Sequence, residues 1–432
     1  SPMTQNEALA ILKTGLNVFL TGEPGSGKTH TINQYVAWLR ERGVEPAVTA
    51  STGIAATHIN GMTIHSWSGI GIKRDMTDYD IELIHSREKT ARRIVEAKVL
   101  IIDEISMLDA ATLGSVDRVL RTLRRRTLQA EQPFGGLQVI FVGDFFQLPP
   151  VSKNEQAKFA FESSAWKEAN PVICYLSEQH RQEDGDFLDL LTAMRRGTFG
   201  AAHRTRLSSR VGILSKQTIA TRLYTHNENV DRINKESLGK IEGSTKVFNM
   251  STRGAQRLVE SLKAQCLSPE TLELKEGASV MFTRNNFDAG YVNGTLGTVT
   301  SFTSLGIPIV KTRSGETITA EPAEWAIQDG NKILAKITQV PLRLAWAITV
   351  HKSQGMSLDA AIIDLSQAFE FGQGYVAISR VRTLSGLFLE GFNERSLELH
   401  PKVATADRHF RAYSDAVRKK FATLPASAKT EL

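Results

Sequence analysis

The stretch "NVFLTGEPGSGKTH", Asn17 to His30, decides the first half of the fold. An apolar run ends at Thr21-Gly22, the residues Gly22 to Thr29 fit G-x-x-x-x-G-K-[ST], and the segment "HTINQYVAWLRERG" that follows is helical in pattern. Strand, glycine-rich loop and helix in that order make a phosphate cradle. The glycines let backbone N–H groups turn inward, the helix N-terminus adds a favourable dipole, Lys28 neutralises β and γ oxygens, and Thr29 is placed to hold Mg²⁺. The expected nucleotide site therefore takes in Gly25, Ser26, Gly27, Lys28, Thr29 and His30.

Outward from this stretch, short aliphatic runs alternate with longer helical ones: "NVFLTG", "PAVTAS", "KVLIIDE", "LQVIFVGD" and "PVICYLS". That alternation predicts a parallel sheet with crossover helices. The second set, "TRLYTHN", "LAWAITV", "AAIIDL" and "GLFLEGF", predicts another such layer between about 220 and 392. Strand-like pieces with tight-turn signals at Asn293-Gly294 and Ser314-Gly315 interrupt it, so a small antiparallel barrel inserted there is expected. Residues from 395 onward read as a helix and a polar tail.

Two further stretches carry chemistry. "KVLIIDEISML" ends a strand in Asp103-Glu104, where Asp103 can hold the Mg²⁺ shell and Glu104 can orient and polarise an attacking water. "VIFVGDFFQLPP" places Gln147 just past another strand end, where an amide can sense the γ-phosphate or its water. An acid pair beside a phosphate loop implies hydrolysis, since a small-molecule kinase gains nothing from activating water. Phe145 and Phe146 are read as packing residues.

Composition narrows the classes less. No apolar run approaches the roughly 18 residues of a membrane span. Cys174 and Cys266 form no CxxC pair, so neither a disulfide framework nor a zinc site is supported, and a reducing, cytoplasmic setting is expected. Nothing at Ser1-Pro2-Met3 reads as a targeting signal, and Met3 is read as the initiator. With 52 Lys and Arg against 46 Asp and Glu, the net charge of +6 permits a polyanionic partner without establishing one. The cluster Arg121, Arg124, Arg125 and Arg126 is expected to be a solvated helix face.

Taken together, "GEPGSGKT", "STGIAATHINGMTIHSW", "IIDEISML", "GDFFQLPPV", "EQHRQEDGDFLDLLTAMRRG", "RLYTHNENVDRIN", "ITVHKSQGMSLD" and "YVAISRVRT" resemble the Pif-one (petite integration frequency) family of superfamily-one DNA helicases, its compact bacterial members above all. The likeness runs from about Gln5 to about Thr383. It implies an α/β fold with two RecA-like domains, at 1–180 and at 181–250 with 341–394. It also implies an SH3-like barrel at 251–340, a helical segment at 395–432, and a wedge or plain loop at 61–80. The same resemblance implies ATP as fuel, 5′-to-3′ movement on single-stranded DNA, and unwinding of forked or G-quadruplex DNA by a monomer. Residue by residue it makes Gln5 an adenine reader, although Gln5 alone reads as a surface residue. It also brings Arg181 and Arg380 to the γ-phosphate, so that the catalytic set becomes Lys28, Glu104, Gln147, Arg181 and Arg380.

A strand groove grips phosphates with hydroxyls and amides and grips bases with flat side chains. In the first domain Thr49, Ser51, Thr52, His65 and Trp67 are candidates for that contact. In the second they are Thr349, His351 and Lys352, with Arg284 and Asn286 from the insertion. Each His taken singly reads as a structural residue. An RNA or RNA/DNA helicase on the same scaffold, and a nucleotide-switched DNA clamp, remain as rival readings.

Overall fold

The computed structural model describes residues 2–73, 75–125, 131–151, 158–177 and 184–422. The chain divides into two units: one holds residues 1–182, 328–332 and 401–432, and the other 183–327 and 333–400.

In the first unit six strands form one parallel sheet: β1 (Val18–Gly22), β2 (Ala47–Ala50), β3 (Met62–Thr63), β4 (Val99–Asp103), β5 (Gln138–Val142) and β6 (Val172–Leu176), in the order β3-β2-β4-β5-β1-β6. Five of them are the runs picked out in the sequence; β3, two residues long, is too short for any periodicity to mark. β1 and β5 are buried at every position, as a sheet covered on both faces requires. On one face Ile32, Tyr35 and Leu39 of helix α2 (Lys28–Glu41) join Ala8, Ile11 and Leu12 of α1 (Gln5–Leu12) over Val18, Leu20, Ile101 and Ile140.

On the other face Phe19 packs on Phe145, Trp166 and Phe410 with ring centroids 5.0–5.3 Å apart, and Phe141 stacks on Trp166 at 4.5 Å. Phe145 and Phe146 are both buried, which suits the packing role expected of them. Phe410 belongs to the helix Pro401–Ala422, which also covers the sheet's β6 edge. There the Tyr175 amide donates to Ser414 Oγ (2.9 Å) and its hydroxyl to Asp407 Oδ1 (2.8 Å). An open strand edge presents unpaired amides, and this one finds its partner in a side chain of the chain's own last helix.

The arginine cluster is not the solvated face the sequence suggested. Arg124 is buried; its Nε donates to the Gly135 carbonyl (2.9 Å), and one terminal nitrogen donates to the carbonyls of Ile94, Val95 and Ala97 (2.8–2.9 Å). Those three carbonyls lie at the C-terminal end of the helix Glu88–Glu96, where a cation also suits the dipole. Arg121 pairs with Asp117 and Glu168, Arg125 is exposed, and Arg126 lies outside the described residues. A count of charges along a helix cannot foresee that a neighbouring helix ends against it. Replacing Arg124 by Met would leave these carbonyls without their donor, so chemical denaturation should show about 3 kcal/mol of lost stability. A loss below about 0.5 kcal/mol, the ordinary result for a surface residue, would restore the solvated reading.

The second unit is built on a four-stranded parallel sheet: Ala347–Thr349, Thr221–Tyr224, Ala361–Leu365 and Leu387–Phe392, in that spatial order. All four lie within the runs named above. Antiparallel strands are inserted between the first and second of these in chain order. They form a five-stranded sheet (Thr317–Thr319, Pro308–Thr312, Leu296–Phe302, Ser279–Phe282, Leu342–Leu344), a three-stranded sheet and a two-stranded pair. Ser314-Gly315 makes a tight turn in this region, with the Gly315 amide donating to the Thr312 carbonyl. Asn293-Gly294 does not close a two-residue hairpin, because residues 283–295 separate its two strands. Instead Gly294, at φ +99°, packs so closely on the Ser357 backbone that a Cβ would stand 2.5 Å from that residue's carbonyl oxygen.

Candidate functional site

Parallel strands put all their carboxyl ends on one edge, and register decides which ends are neighbours. Ala50 of β2 pairs with Asp103 of β4, Ile102 of β4 with Phe141 of β5, and Leu20 of β1 with Val142 of β5. The glycine-rich loop after β1, the acid pair after β4 and Gln147 after β5 therefore rise from the same sheet edge, where open α/β sheets bind ligands.

The loop is shaped by backbone geometry. Gly27 caps α2 in the left-handed region (φ +92°) with no side-chain cap, and the start of this fourteen-residue helix is the end whose dipole favours an anion. Any side chain at Gly27 would also strike Gln5, whose Nε2 would stand 1.9 Å from a Cβ there. Gln5 is thus not a surface residue: it is buried against the loop, and its amide donates to the Ser26 carbonyl at 3.2 Å. The signal that could have found it is its place at the start of α1, directly behind the Thr4 cap, since Thr4 fixes where the helix and its first side chain stand. Lys28 Nζ donates to the carbonyls of Gly22 (3.0 Å) and Glu23 (3.3 Å), so the cation lies along the cradle. Thr29 and His30 are exposed at the start of α2, while Ser26 is fully buried with a hydroxyl that has no partner among the described residues. A glycine cradle, the start of a long helix, a folded-in lysine and an orphaned hydroxyl together suit a polyphosphate.

At the end of β4, Asp103 Oδ1 accepts the Glu104 amide at 2.8 Å. Desolvation first, and then the charge of Glu104, push the Asp103 pKa up, while the Glu104 amide and Lys28 pull it down. A carboxyl held above its ordinary range by burial and a neighbouring acid gains from a cation beside it, which suits Asp103 to the metal role expected of it. Glu104 is one of four non-glycine residues with positive φ among the described residues, at φ 52° and ψ 48°. Beyond β5, buried Asp144 accepts the Phe146 amide on its side chain (3.1 Å) and the Gln147 amide on its carbonyl (2.9 Å). This local turn sets the height of Gln147, and the sequence reading passed over Asp144.

The comparisons with known proteins agree on where this arrangement belongs. Residues 5–205 match the family model described as PIF1-like helicase, and residues 257–302 match that described as DNA helicase Pif1, 2B domain. An ATP-dependent DNA helicase Pif1 of a Psychrobacter species is 44% identical, over 97% of this chain and 72% of that protein. The chain belongs to the PIF1-like helicase family. Among solved structures, Bacteroides Pif1 in complex with ADP-AlF4 is 30% identical with a TM-score of 0.79, covering 94% of this chain and 96% of that one. Bacteroides Pif1 with ADP-AlF3 and single-stranded DNA is 31% identical with a TM-score of 0.60, over 96% and 97%.

Against the other expectations for a PIF1-like helicase the placements divide. In the second unit Arg380 ends the helix Gln373–Ser379, is buried, and donates from Nε to Ser353 Oγ at 3.2 Å; Ser353 in turn donates to the Val350 carbonyl. Ser353 was not singled out in the sequence, although it sits within the quoted "HKSQG". Arg181 lies outside the described residues. Of the strand-contact candidates, His351 and Asn286 are exposed, while His65, Thr52, Lys352 and Arg284 are half-buried. Lys352 Nζ faces Asp231 at 3.5 Å, Arg284 lies over the Trp325 ring, and partial burial lowers the His65 pKa.

Three candidates sit inside the fold. Thr49 is fully buried in β2 and its hydroxyl donates to the Ile101 carbonyl (2.7 Å), Trp67 is buried in the core, and Thr349 is buried with its hydroxyl accepting the Lys352 amide (3.2 Å). In each case a hydroxyl or ring that suits a nucleic-acid groove is taken up by hydrogen bonding or packing within its own unit.

Proposed function

We propose that this chain uses ATP hydrolysis to move 5′-to-3′ along single-stranded DNA and to separate duplex, forked or G-quadruplex DNA ahead of it. The observation that supports this most directly is the convergence of Lys28, Asp103-Glu104 and Gln147 on one edge of the first unit's parallel sheet. Its relatives, named as ATP-dependent DNA helicases, and the single-stranded DNA in the Bacteroides complex support the substrate class.

In this reading the loop amides and Lys28 bind the β and γ phosphates, Ser26 and His30 line the cradle, and Gln5 meets the adenine. Glu104 takes the proton of the attacking water, and Gln147 orients that water. Thr29 and Asp103 are the residues that would hold Mg²⁺, which when bound would neutralise charge on the phosphates. Arg181 and Arg380 add positive charge as the γ-phosphoryl group leaves. Hydroxyls, amides and flat side chains around Thr52, His65, His351, Lys352, Arg284 and Asn286 form the grip on the strand, with the protein acting as a cytoplasmic monomer. No helix among the described residues is long and apolar enough to cross a membrane.

The energetics suit such a motor. Separating a base pair costs about 1.4 kcal/mol on average, roughly a tenfold bias in an equilibrium. Direction matters more than force. Two grips that alternate in affinity with the nucleotide state supply direction, because a ligand shifts a conformational equilibrium only through differential affinity. Unwinding of matched duplexes carrying only a 5′ or only a 3′ tail tests this, with ATP turnover followed alongside. The 5′-tailed duplex should be separated, the 3′-tailed one should not, and single-stranded DNA should stimulate hydrolysis strongly. A 3′ preference would reverse the assigned polarity, and equal turnover with and without DNA would remove the coupling.

A further inference from the structure

We infer that Ser51 is a positioning residue for hydrolysis, holding Glu104 through its main chain, and not a contact to the nucleic-acid strand. The inference deepens the ATPase reading above and rests on it. Ser51 follows directly on β2, whose last residue, Ala50, pairs with Asp103. It is buried at 5% exposure and makes two bonds to the acid pair: its amide donates to the Asp103 carbonyl (3.0 Å) and its hydroxyl to the Glu104 carbonyl (2.5 Å). One serine thus grips both carbonyls of the residues expected to carry the metal and the water.

The need for such a grip is visible in the backbone. Glu104 stands in the left-handed region, which an L-residue with a long side chain occupies at a cost and keeps only when its surroundings over-determine it. Three contacts do so here. The Met107 amide donates to the Glu104 carbonyl from the 3₁₀ turn Ile105–Met107, and the Ser51 hydroxyl reaches the same oxygen from β2. Just past β5, Gly143 approaches so closely that a Cβ there would stand 3.0 Å from the Ile105 nitrogen. The first two contacts fix the carbonyl and the third closes the space behind the turn.

The φ and ψ of a residue set the direction in which its side chain leaves the chain. Without the Ser51 hydroxyl, Glu104 can relax toward the ordinary extended region and carry its carboxylate away from the water. Misplacement of a catalytic group by about 1 Å costs on the order of a hundredfold in rate. Because Ser51, Asp103 and Glu104 all belong to the first unit, the loss should not depend on DNA.

The test is steady-state ATP hydrolysis by the full chain with and without single-stranded oligonucleotide, together with the oligonucleotide's Kd. Ser51→Ala should lower kcat by about ten- to a hundredfold, by the same factor in both conditions, with the KM for ATP and the DNA Kd unchanged. Ser51→Cys matches the serine closely in size but donates weakly, so it should show an intermediate loss without a packing defect, and Ser51→Thr should restore most of the rate. In a Glu104→Gln background, Ser51→Ala should add less than about a twofold further loss, since residues acting as one unit are not additive. Weakened DNA binding, with a loss confined to the DNA-stimulated rate, would make Ser51 a strand contact and overturn the inference. An unchanged kcat in Ser51→Ala and Ser51→Cys would overturn it while leaving the ATPase reading intact, whereas a wild-type chain that hydrolyses no ATP would remove both.

Discussion

Glu104→Gln should bind ATP as the wild type does and hydrolyse it about 10²- to 10⁴-fold more slowly, the range over which a positioned general base contributes to rate. The substitution keeps size and hydrogen-bonding reach but removes the proton acceptor, so the cradle formed by Gly27, Lys28 and Ser26 is untouched. The main-chain hold on residue 104 is also untouched, because the Ser51 hydroxyl and the Met107 amide both bond to its carbonyl and not to its carboxylate. Strand separation should disappear together with turnover, while a fluorescent nucleotide should bind with an unchanged Kd. A variant that hydrolyses ATP within a few-fold of the wild-type rate would show that another group takes the water's proton. Asp103 is the group to test next, since its carboxyl is pushed toward the neutral pH range by desolvation and by Glu104 itself.

The first unit's sheet was legible because its central strands are buried on both faces and read as continuous aliphatic runs, as "KVLIIDE" and "LQVIFVGD" do. The nucleotide cradle was legible because a loop that must turn its amides inward needs glycine at fixed places, and Gly22, Gly25 and Gly27 all have positive φ. What could not be read were the uses of polar groups inside the fold. Arg124 looks like any other arginine on a charged helix until the carbonyls of Ile94, Val95 and Ala97 are brought to it by an element some thirty residues away. Thr49, Ser51 and Thr349 were assigned to a strand groove on residue type, yet each hydroxyl is engaged by a neighbouring main chain. Gln5 failed the other way, seeming solvated where it is packed on the cradle. In each of these cases the partner is a backbone atom, and a backbone atom has no letter in the sequence.

Arg380→Ala should leave ATP binding near the wild-type level and lower DNA-stimulated hydrolysis by about 10³- to 10⁵-fold, the range found when an arginine that stabilises phosphoryl-transfer charge is removed. The competing view is that Arg380 is a structural residue of the second unit. It is buried, it ends a helix, and it donates to Ser353, which is itself fully buried. The two views separate on what each measurement reads. A structural arginine costs stability when truncated, because Ser353 and its surroundings lose a charged donor, and the rate of the remaining folded protein stays near wild type. A transition-state arginine costs kcat in protein that is still folded and still binds nucleotide, since the interaction is made only as charge develops. Arg380→Lys sharpens the comparison. A lysine keeps the positive charge and can still donate to Ser353, but it lacks the planar fork that meets phosphate oxygens in pairs, so most of the rate should remain lost while stability returns. Recovery of both rate and stability in Arg380→Lys, or hydrolysis near the wild-type rate in a destabilised Arg380→Ala, would place Arg380 in the scaffold and leave Arg181 as the arginine to test for that charge.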